Sequence, residues 1–200
     1  MAKKIKWLNI VLLFIVIIAF VFGIKYFFFN KPNIIDSKLV VEKYGQYSFI
    51  KLNDSWIFDY KLNGEIYTIP LMYNPNQIET MPNNGVVSKD ITSKDLIYIT
   101  FDPGLTPRSV ISGVEMAKVF GQAEYGILKK VVKSSVTYDA KIPIITCANA
   151  TEKTGVILMR LGETSSISKE LGCVILTAKD ETDMMKLSNK MVYIALGIMK

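Results

Sequence analysis

The residues best suited to covalent chemistry lie around the two cysteines. The stretch TCANAT, residues 146 to 151, places Cys147 two positions before Asn149, and Cys173 lies in the run GCVIL. A catalytic thiol needs a base that generates its thiolate, and the chain contains no histidine. A reactive thiol is therefore the weaker alternative to a disulfide.

The disulfide interpretation fits an exported domain, because cystines persist in oxidising compartments. Two cysteines, each at one end of an apolar strand, predict a bond between Cys147 and Cys173. In the chain-entropy description, closing a loop of about 26 residues stabilises a fold by roughly 3 to 4 kcal/mol.

Two asparagines begin N-glycosylation triplets. Asn149 begins Asn-Ala-Thr and Asn53 begins Asn-Asp-Ser, both in turn-like stretches. We predict that both asparagines are accessible to glycosylation in an organism that modifies asparagine, where the sugar would serve as solubilising surface.

Asp102 is the best candidate for a catalytic carboxylate, since it ends an apolar strand just before a helix. Asp-Pro-Gly is also an ordinary turn sequence, and no second carboxylate has a telling spacing, so the turn is favoured. Three Ser-Lys pairs lie in polar loops or turns and lack a Ser-x-x-Lys spacing at a helix start: Ser88-Lys89, Ser93-Lys94 and Ser168-Lys169.

The missing residue types exclude other sites. Without histidine there is no imidazole triad, and two cysteines cannot supply a structural zinc site with four Cys or His ligands. The glycines of GETSSISKELG have neither the P-loop nor the dinucleotide-binding spacing. The sequence predicts no catalytic residue, no metal, no cofactor and no nucleotide.

An apolar run from Trp7 to Ile24 dominates the N-terminus. About 18 residues in a helix cover roughly 27 Å, close to the hydrocarbon thickness of a bilayer. Lysines precede the run without any acidic residue, so the positive-inside rule leaves the N-terminus in the cytoplasm and exports the rest. A cleaved signal peptide is the alternative. The expected order is a cytoplasmic tip (1–6), a transmembrane anchor (7–29), a stalk (30–43) and an exported domain (44–200).

The formal net charge of +6 originates in this N-terminal region. Of the 24 basic residues, five lysines at positions 3, 4, 6, 25 and 31 lie in or beside the apolar run, which leaves 19 against 18 acidic residues. A nearly neutral body without a basic stripe argues against nucleic-acid binding. The expected partners are the lipid bilayer, through the N-terminal helix, and an envelope protein or glycan.

The first part of the body, residues 44–73, predicts a β-hairpin. Asn63-Gly64 separates WIFDYKL from EIYTIPLMY, and Asn-Gly between such runs is the strongest short hairpin signal. Residues 74–95 are rich in Pro, Asn and Ser and predict a long surface loop. Alternation places four side chains of the hairpin on one face, which should be buried: Trp56, Phe58, Tyr60 and Leu62.

The main α/β part, residues 96–200, predicts strands and two helices. The first helix has Thr106 as N-cap, Pro107 at its first position and Gly121 after its end. Its apolar stripe is Val110, Val114 and Ala117. Four strands follow, in VVKSSVTY, IPIITC, GVILMRL and GCVILTA. The stripe of the last helix should pack on the sheet: Met184, Leu187, Met191, Ile194 and Ile198.

These elements predict an α+β fold in which an N-terminal transmembrane helix precedes one exported domain. That domain would have a mixed or antiparallel sheet, an N-terminal β-hairpin and two packed helices.

Four segments, IYITFDP, IPIITCANAT, GCVIL and VYIALGIM, resemble a pattern of uncharacterised single-span cell-envelope proteins of small-genome archaea. The resemblance covers residues 44–199. It implies no activity, and it implies that Cys147 and Cys173 match cysteines shared by that group.

Three function classes follow. The leading hypothesis is a membrane-anchored extracytoplasmic structural or interaction module of the cell envelope, without catalytic activity. The alternatives are an anchored enzyme that acts on a cell-surface polymer, which would need Asp102 beside another carboxylate or a Ser-Lys pair, and a pilin-like or secretion-accessory subunit.

Overall fold

The chain folds into two sheets with helices between them. A computed structural model describes residues 39–122, 126–138 and 143–200, and Val40–Lys200 form one compact unit. The strands are β1 (Val41–Tyr44), β2 (Tyr47–Leu52), β3 (Ser55–Leu62), β4 (Glu65–Leu71), β5 (Asn83–Asn84), β6 (Leu96–Phe101), β7 (Val131–Val136), β8 (Thr154–Leu161), β9 (Ser166–Glu170) and β10 (Cys173–Ala178). The helices are α1 (Pro75–Ile78), α2 (Lys89–Thr92), α3 (Pro107–Phe120) and α4 (Glu181–Ala195), and a 3-10 turn spans Cys147–Asn149.

The N-terminal sheet is an antiparallel meander in the order β1-β2-β3-β4. The predicted turn at Asn63-Gly64 joins β3 to β4, and both residues have positive φ, 52° and 88°, as the tight hairpin turn requires. A second tight turn at Asn53-Asp54 joins β2 to β3. The predicted buried face is confirmed, because Trp56 and Phe58 are buried, and Tyr60 and Leu62 pack against the core.

The central sheet has the order β5-β9-β10-β8-β6-β7. Strands β10, β8, β6 and β7 are parallel, whereas β9 runs antiparallel to β10. Helix α3 crosses over from β6 to its parallel neighbour β7, which is the usual way to join parallel strands. Strand β7 is thus one edge of the sheet.

Helix α4 lies between the two sheets. Four residues of its predicted stripe are buried, Met184, Leu187, Met191 and Ile194, whereas Ile198 lies beyond the end of the helix and is half-buried. The Tyr193 ring lies edge-on to Phe49 at 5.8 Å and tilted to Phe58 at 5.6 Å between centroids. The hydroxyl of Tyr193 donates to the carbonyl of Tyr73 at 2.8 Å, so its polar atom is satisfied inside the core. Burial raises the pKa of this phenol.

Residues 74–95 carry more structure than the predicted loop. Asn74 is fully buried and caps α1, since its side chain accepts the Gln77 N–H at 3.1 Å. Buried Lys190 of α4 donates to the carbonyl oxygens of Ile78, Glu79 and Met81 at the end of α1. The Asn- and Pro-rich composition supplies helix caps here rather than an unstructured loop.

The predicted fold class is wrong as a whole. The described residues form two sheets instead of one, because two further turns, at Gly45-Gln46 and Asn53-Asp54, extend the hairpin into a separate four-stranded sheet. No helix among residues 39–122, 126–138 and 143–200 is long and apolar enough to cross a membrane. The predicted tip (1–6), anchor (7–29) and most of the stalk (30–43) lie outside these residues, and β1 already begins at Val41.

Candidate interaction surface

A disulfide joins Cys147 to Cys173, as the sequence predicts, with 5.2 Å between the Cα atoms. Cys173 begins β10, and Cys147 begins the 3-10 turn that crosses the outer face of the central sheet. The bond holds this segment over a small apolar cluster that includes Leu158 and Ile175. Both sulfurs are bonded, so neither is a free nucleophile.

Both predicted glycosylation sites are exposed. Asn149 lies in the 3-10 turn, where its side-chain oxygen accepts the Thr146 N–H at 2.9 Å. Asn53 has a φ of 52° at the tip of the β2–β3 hairpin. The positions are accessible, and their modification stays a prediction.

Asp102 lies directly after β6, and its N–H donates to the Met159 carbonyl at 3.0 Å. The hydroxyl of Thr137 donates to its carboxylate. Within the described ranges, no cluster of three Cys, Asp or Glu side chains could hold a metal ion. The carboxylate therefore closes a turn beside β7, as the Asp-Pro-Gly sequence predicts.

The Ser-Lys pairs do not form dyads. The Ser88 hydroxyl donates to the Ala195 carbonyl at 2.6 Å, and the Ser93 hydroxyl donates to the Lys89 carbonyl at 2.6 Å. Lys94 donates to the Thr151 carbonyl at 2.7 Å, and Lys169 pairs with Asp90. These groups join segments of the chain to one another.

Helix α3 shows an unexpected orientation. Its apolar stripe, Val110, Val114 and Ala117, does not lie in the core: Val110 is 39% exposed and Val114 is 47% exposed, while Ala117 is half-buried. The neighbouring Ile111 is 54% exposed. The buried face consists of Ser109, Ser112, Gly113, Met116, Val119 and Phe120.

Close packing on β6 accounts for this orientation. A Cβ added to Gly113 would lie 2.6 Å from Cζ of Phe101 and 3.3 Å from Ile99, so only glycine allows this approach. The buried hydroxyls of Ser109 and Ser112 have no hydrogen-bond partner among the described residues. Small residues thus lie against β6 at Ser109, Ser112 and Gly113, whereas Val110, Ile111 and Val114 are exposed.

A groove lies between the outward side of α3 and the edge strand β7. We call it the α3–β7 groove; its volume is about 370 Å³. Its lining residues are Val114, Ala117, Lys118, Gly121, Gln122, Lys130, Val131 and Val132. Among the described residues, two lysines and no acidic side chain line it, so an anionic occupant is favoured electrostatically.

Beside this groove, the backbone of β7 has groups without a hydrogen-bond partner in the described part of the chain. The Val131 N–H donates to Asp95 at 3.1 Å and the Thr137 N–H to Phe101 at 3.1 Å, both on the β6 side. Backbone groups of a parallel strand alternate in direction, so the N–H and C=O of Val132 and Ser134 point to the free edge. The Val136 carbonyl also points there and accepts the Ile145 N–H at 2.9 Å.

A second cavity of about 270 Å³ lies on the other side of α3, beside β4. Glu115 lines it, and burial raises the pKa of that carboxyl, opposed by a hydrogen bond from Asn189 and by the charge of Lys118. The Asn189 amide donates to Glu115 at 3.4 Å. The carboxylate of Glu115 thus already has one hydrogen-bond partner within the chain.

No family model and no curated protein matches the chain. Among solved structures, "Crystal Structure of metalloproteinase-II from Bacteroides fragilis" is similar at 7% sequence identity and a TM-score of 0.30. The alignment covers 72% of this chain and 66% of that chain, just under two thirds of its length. This similarity carries no argument about fold or activity, and the archaeal envelope resemblance stays a prediction.

Sequence reasoning found the disulfide but missed the α3–β7 groove. The apolar stripe of α3 has helical spacing, which is typical of a core face. A competing signal was present, since Ser109, Ser112, Gly113 and Met116 have the same spacing and small side chains at three of the four positions. Small residues favour the close helix approach that the structure has.

Proposed function

We propose that the chain is a non-catalytic, extracytoplasmic interaction module, and that a protein partner covers the α3–β7 groove. The observation that carries this proposal is the outward-facing stripe of α3 together with the uncovered edge of β7.

Exposed aliphatic residues are common when scattered, but these are contiguous. Val110, Ile111 and Val114 are exposed on one side of a single helix, and Val114 shares the groove lining with exposed Val131 of β7. Fully burying such a side chain is worth about 1.5 to 3 kcal/mol. A partner that buried several of these side chains would gain this free energy for each of them. For this reason, contiguous exposed apolar patches mark interaction sites.

The lining of the groove favours a protein over a glycan. Its walls are mainly aliphatic, and burying sugar hydroxyls against them without hydrogen bonds is unfavourable. Apolar side chains of a protein segment lose nothing by entering such a site. Lys118 and Lys130 at the rim remain available for acidic groups of that segment.

The Cys147–Cys173 bond supports a location outside the cytoplasm, because reducing compartments rarely preserve structural disulfides. The location is tested by adding a membrane-permeant alkylating reagent to intact cells before reduction. We expect both cysteines to be protected from alkylation. Complete alkylation without prior reduction would place the protein in a reducing compartment and contradict this part of the proposal.

The interaction surface is tested by site-specific photocrosslinking in cells that make the protein. A photoreactive residue at Val110 should give one discrete protein adduct. The same residue at Ile66, which is 67% exposed on the N-terminal sheet, is the matched apolar control and should give none. Val114→Lys should abolish the Val110 adduct. Equal adducts at both positions, or none at Val110, would overturn the proposal.

A further inference from the structure

We infer that the partner contributes an extended strand that pairs with β7 and becomes the seventh strand of the central sheet, with acidic residues that meet Lys118 and Lys130. This inference rests on the proposed function and specifies the chemistry of the segment that enters the α3–β7 groove.

The first argument concerns the packing of α3. Among the described residues, no strand beyond β7 lies against the exposed apolar stripe of this helix. Val114 and Ala117 line the groove together with Val131 and Val132 of β7, at the point where the central sheet stops. Neighbouring strands lie about 4.8 Å apart, so a strand added to β7 would lie beneath this side of α3. The apolar stripe would then pack on a sheet, as such stripes ordinarily do.

The second argument is the backbone of β7. The N–H and C=O groups of Val132 and Ser134 point to the free edge, in the positions that a further strand would use. At the far end of β7 the chain uses this edge itself, since Ile144 forms a parallel bridge with Val136. The edge is therefore suited to pairing, and no residue among 39–122, 126–138 and 143–200 pairs with its beginning.

The third argument is side-chain chemistry. Side chains of a strand alternate between the two faces, so every second residue of the added segment would face the aliphatic stripe of α3. The described lining of the groove has two lysines and no acidic side chain, so acidic residues at the flanking positions complement it. The partner's segment is thus inferred to be an extended strand in which apolar and acidic residues alternate.

The charges argue against a second copy of this chain as the occupant. Pairing two β7 edges would bring Lys130 and Lys133 of one copy close to the same lysines of the other. Like charges that face each other across strands are destabilising. A different protein with an acidic strand avoids this repulsion.

The experiment combines the Val110 crosslinker with variants of the edge. Ser134→Pro removes an N–H that points away from β6 and keeps the hydrogen bonds between β6 and β7. We expect the adduct yield to fall about tenfold or more. Proline removes a backbone hydrogen bond to the added strand, and its ring obstructs the approach of that strand.

A second variant guards against misfolding of Ser134→Pro. Lys118→Glu combined with Lys130→Glu should also reduce the adduct about tenfold or more through repulsion of the acidic segment. Lys61→Glu, on the N-terminal sheet, is the charge control and should have no effect. Thermal unfolding of each variant checks that the fold is kept.

The outcomes separate the two proposals. An adduct whose crosslinked peptide has the apolar and acidic alternation, and which both edge variants reduce, supports the added strand. An adduct that survives Ser134→Pro and the double lysine variant leaves the interaction module intact and overturns the strand. An adduct with a second copy of this chain or with a lipid would contradict the inference that an acidic segment of another protein occupies the groove. Absence of any adduct overturns both proposals.

Discussion

Helices α3 and α4 differ in how their polar and apolar side chains are buried. In α4 nearly every face is covered, and its polar residues have partners: Lys190 binds three carbonyls, Asn189 accepts the Tyr73 N–H at 2.9 Å, and Ser188 bonds the Met184 carbonyl at 2.9 Å. In α3, the buried hydroxyls of Ser109 and Ser112 lack partners among the described residues, while aliphatic side chains face outwards.

The difference shows which parts of the sequence the fold alone explains. The residues of α4 are accounted for by contacts within the chain. The outward face of α3 is not, because apolar residues at helical spacing bring no stability to the isolated chain when they remain in water. We attribute this face to a partner, and the following predictions test the contrast between the two helices.

The largest effect is expected for the central ring of α4. Tyr193 is fully buried, so Tyr193→Ala should lower the free energy of unfolding by about 3 to 5 kcal/mol through loss of packing. Val114→Ala on α3 is the matched control and should change it by less than about 0.5 kcal/mol. Urea unfolding measures both. A loss of more than about 2 kcal/mol for Val114→Ala would show that the stripe is already covered.

The disulfide is expected to have the next largest effect. It holds the 3-10 turn on the outer face of the central sheet and encloses a sequence separation of 26 residues. Replacing both cysteines with serine should lower the free energy of unfolding by about 3 to 4 kcal/mol. The Val110 crosslink should persist at temperatures where this variant stays folded. A variant as stable as the native chain would show that the bond is dispensable for the fold.

Removal of Lys190 should have an intermediate effect. Lys190→Ala leaves the carbonyls of Ile78, Glu79 and Met81 without their donor, at a cost of about 1 to 3 kcal/mol. Lys118→Ala removes an exposed lysine from α3 and should be close to neutral. Equal unfolding midpoints for the two variants would contradict the assignment of Lys190 as a structural donor.

Acid should act on the beginning of α4. Burial alone would raise the pKa of Asp183, but hydrogen bonds from Ser165 and Lys186 and the nearby lysine charges outweigh it and leave this pKa lowered. The folded state therefore binds fewer protons than the unfolded state between the two pKa values. Stability from this group is present above the unfolded pKa and is lost as pH falls through the folded pKa.

Asp183→Asn isolates that contribution. The variant should be less stable than the native chain near neutral pH, and the difference should shrink as the pH falls below about 4. Unfolding midpoints measured across this range provide the comparison. A difference that stays constant with pH would show that the ionised carboxylate is not the source of the stability.

Local signals in the sequence predict much of the fold. Asn63-Gly64 predicts its hairpin, Thr106 and Gly121 bound α3 correctly, and the alternation through Trp56 and Phe58 identifies the buried face. The two cysteines predict their own pairing. The turn, the helix ends and the buried face depend on residues close in sequence. The disulfide is predictable because two cysteines allow only one pairing within the chain.

Features that depend on distant contacts could not be predicted in the same way. The described part of the segment IPIITC, residues 143–147, is not a strand, and within it only Ile144 forms a bridge, to Val136. The orientation of α3 depends on how closely Gly113 approaches Phe101, which no local pattern specifies. The α3–β7 groove was missed for that reason.

Hydrogen exchange of the β7 amides tests the central claim most directly. In the isolated full-length chain, the N–H groups of Val132 and Ser134 should exchange at least about tenfold faster than that of Lys133, because only Lys133 donates to β6. Addition of the partner identified by crosslinking should slow Val132 and Ser134 selectively. Slow exchange at Val132 and Ser134 in the isolated chain, or no change when the partner binds, would contradict an open edge that accepts a strand.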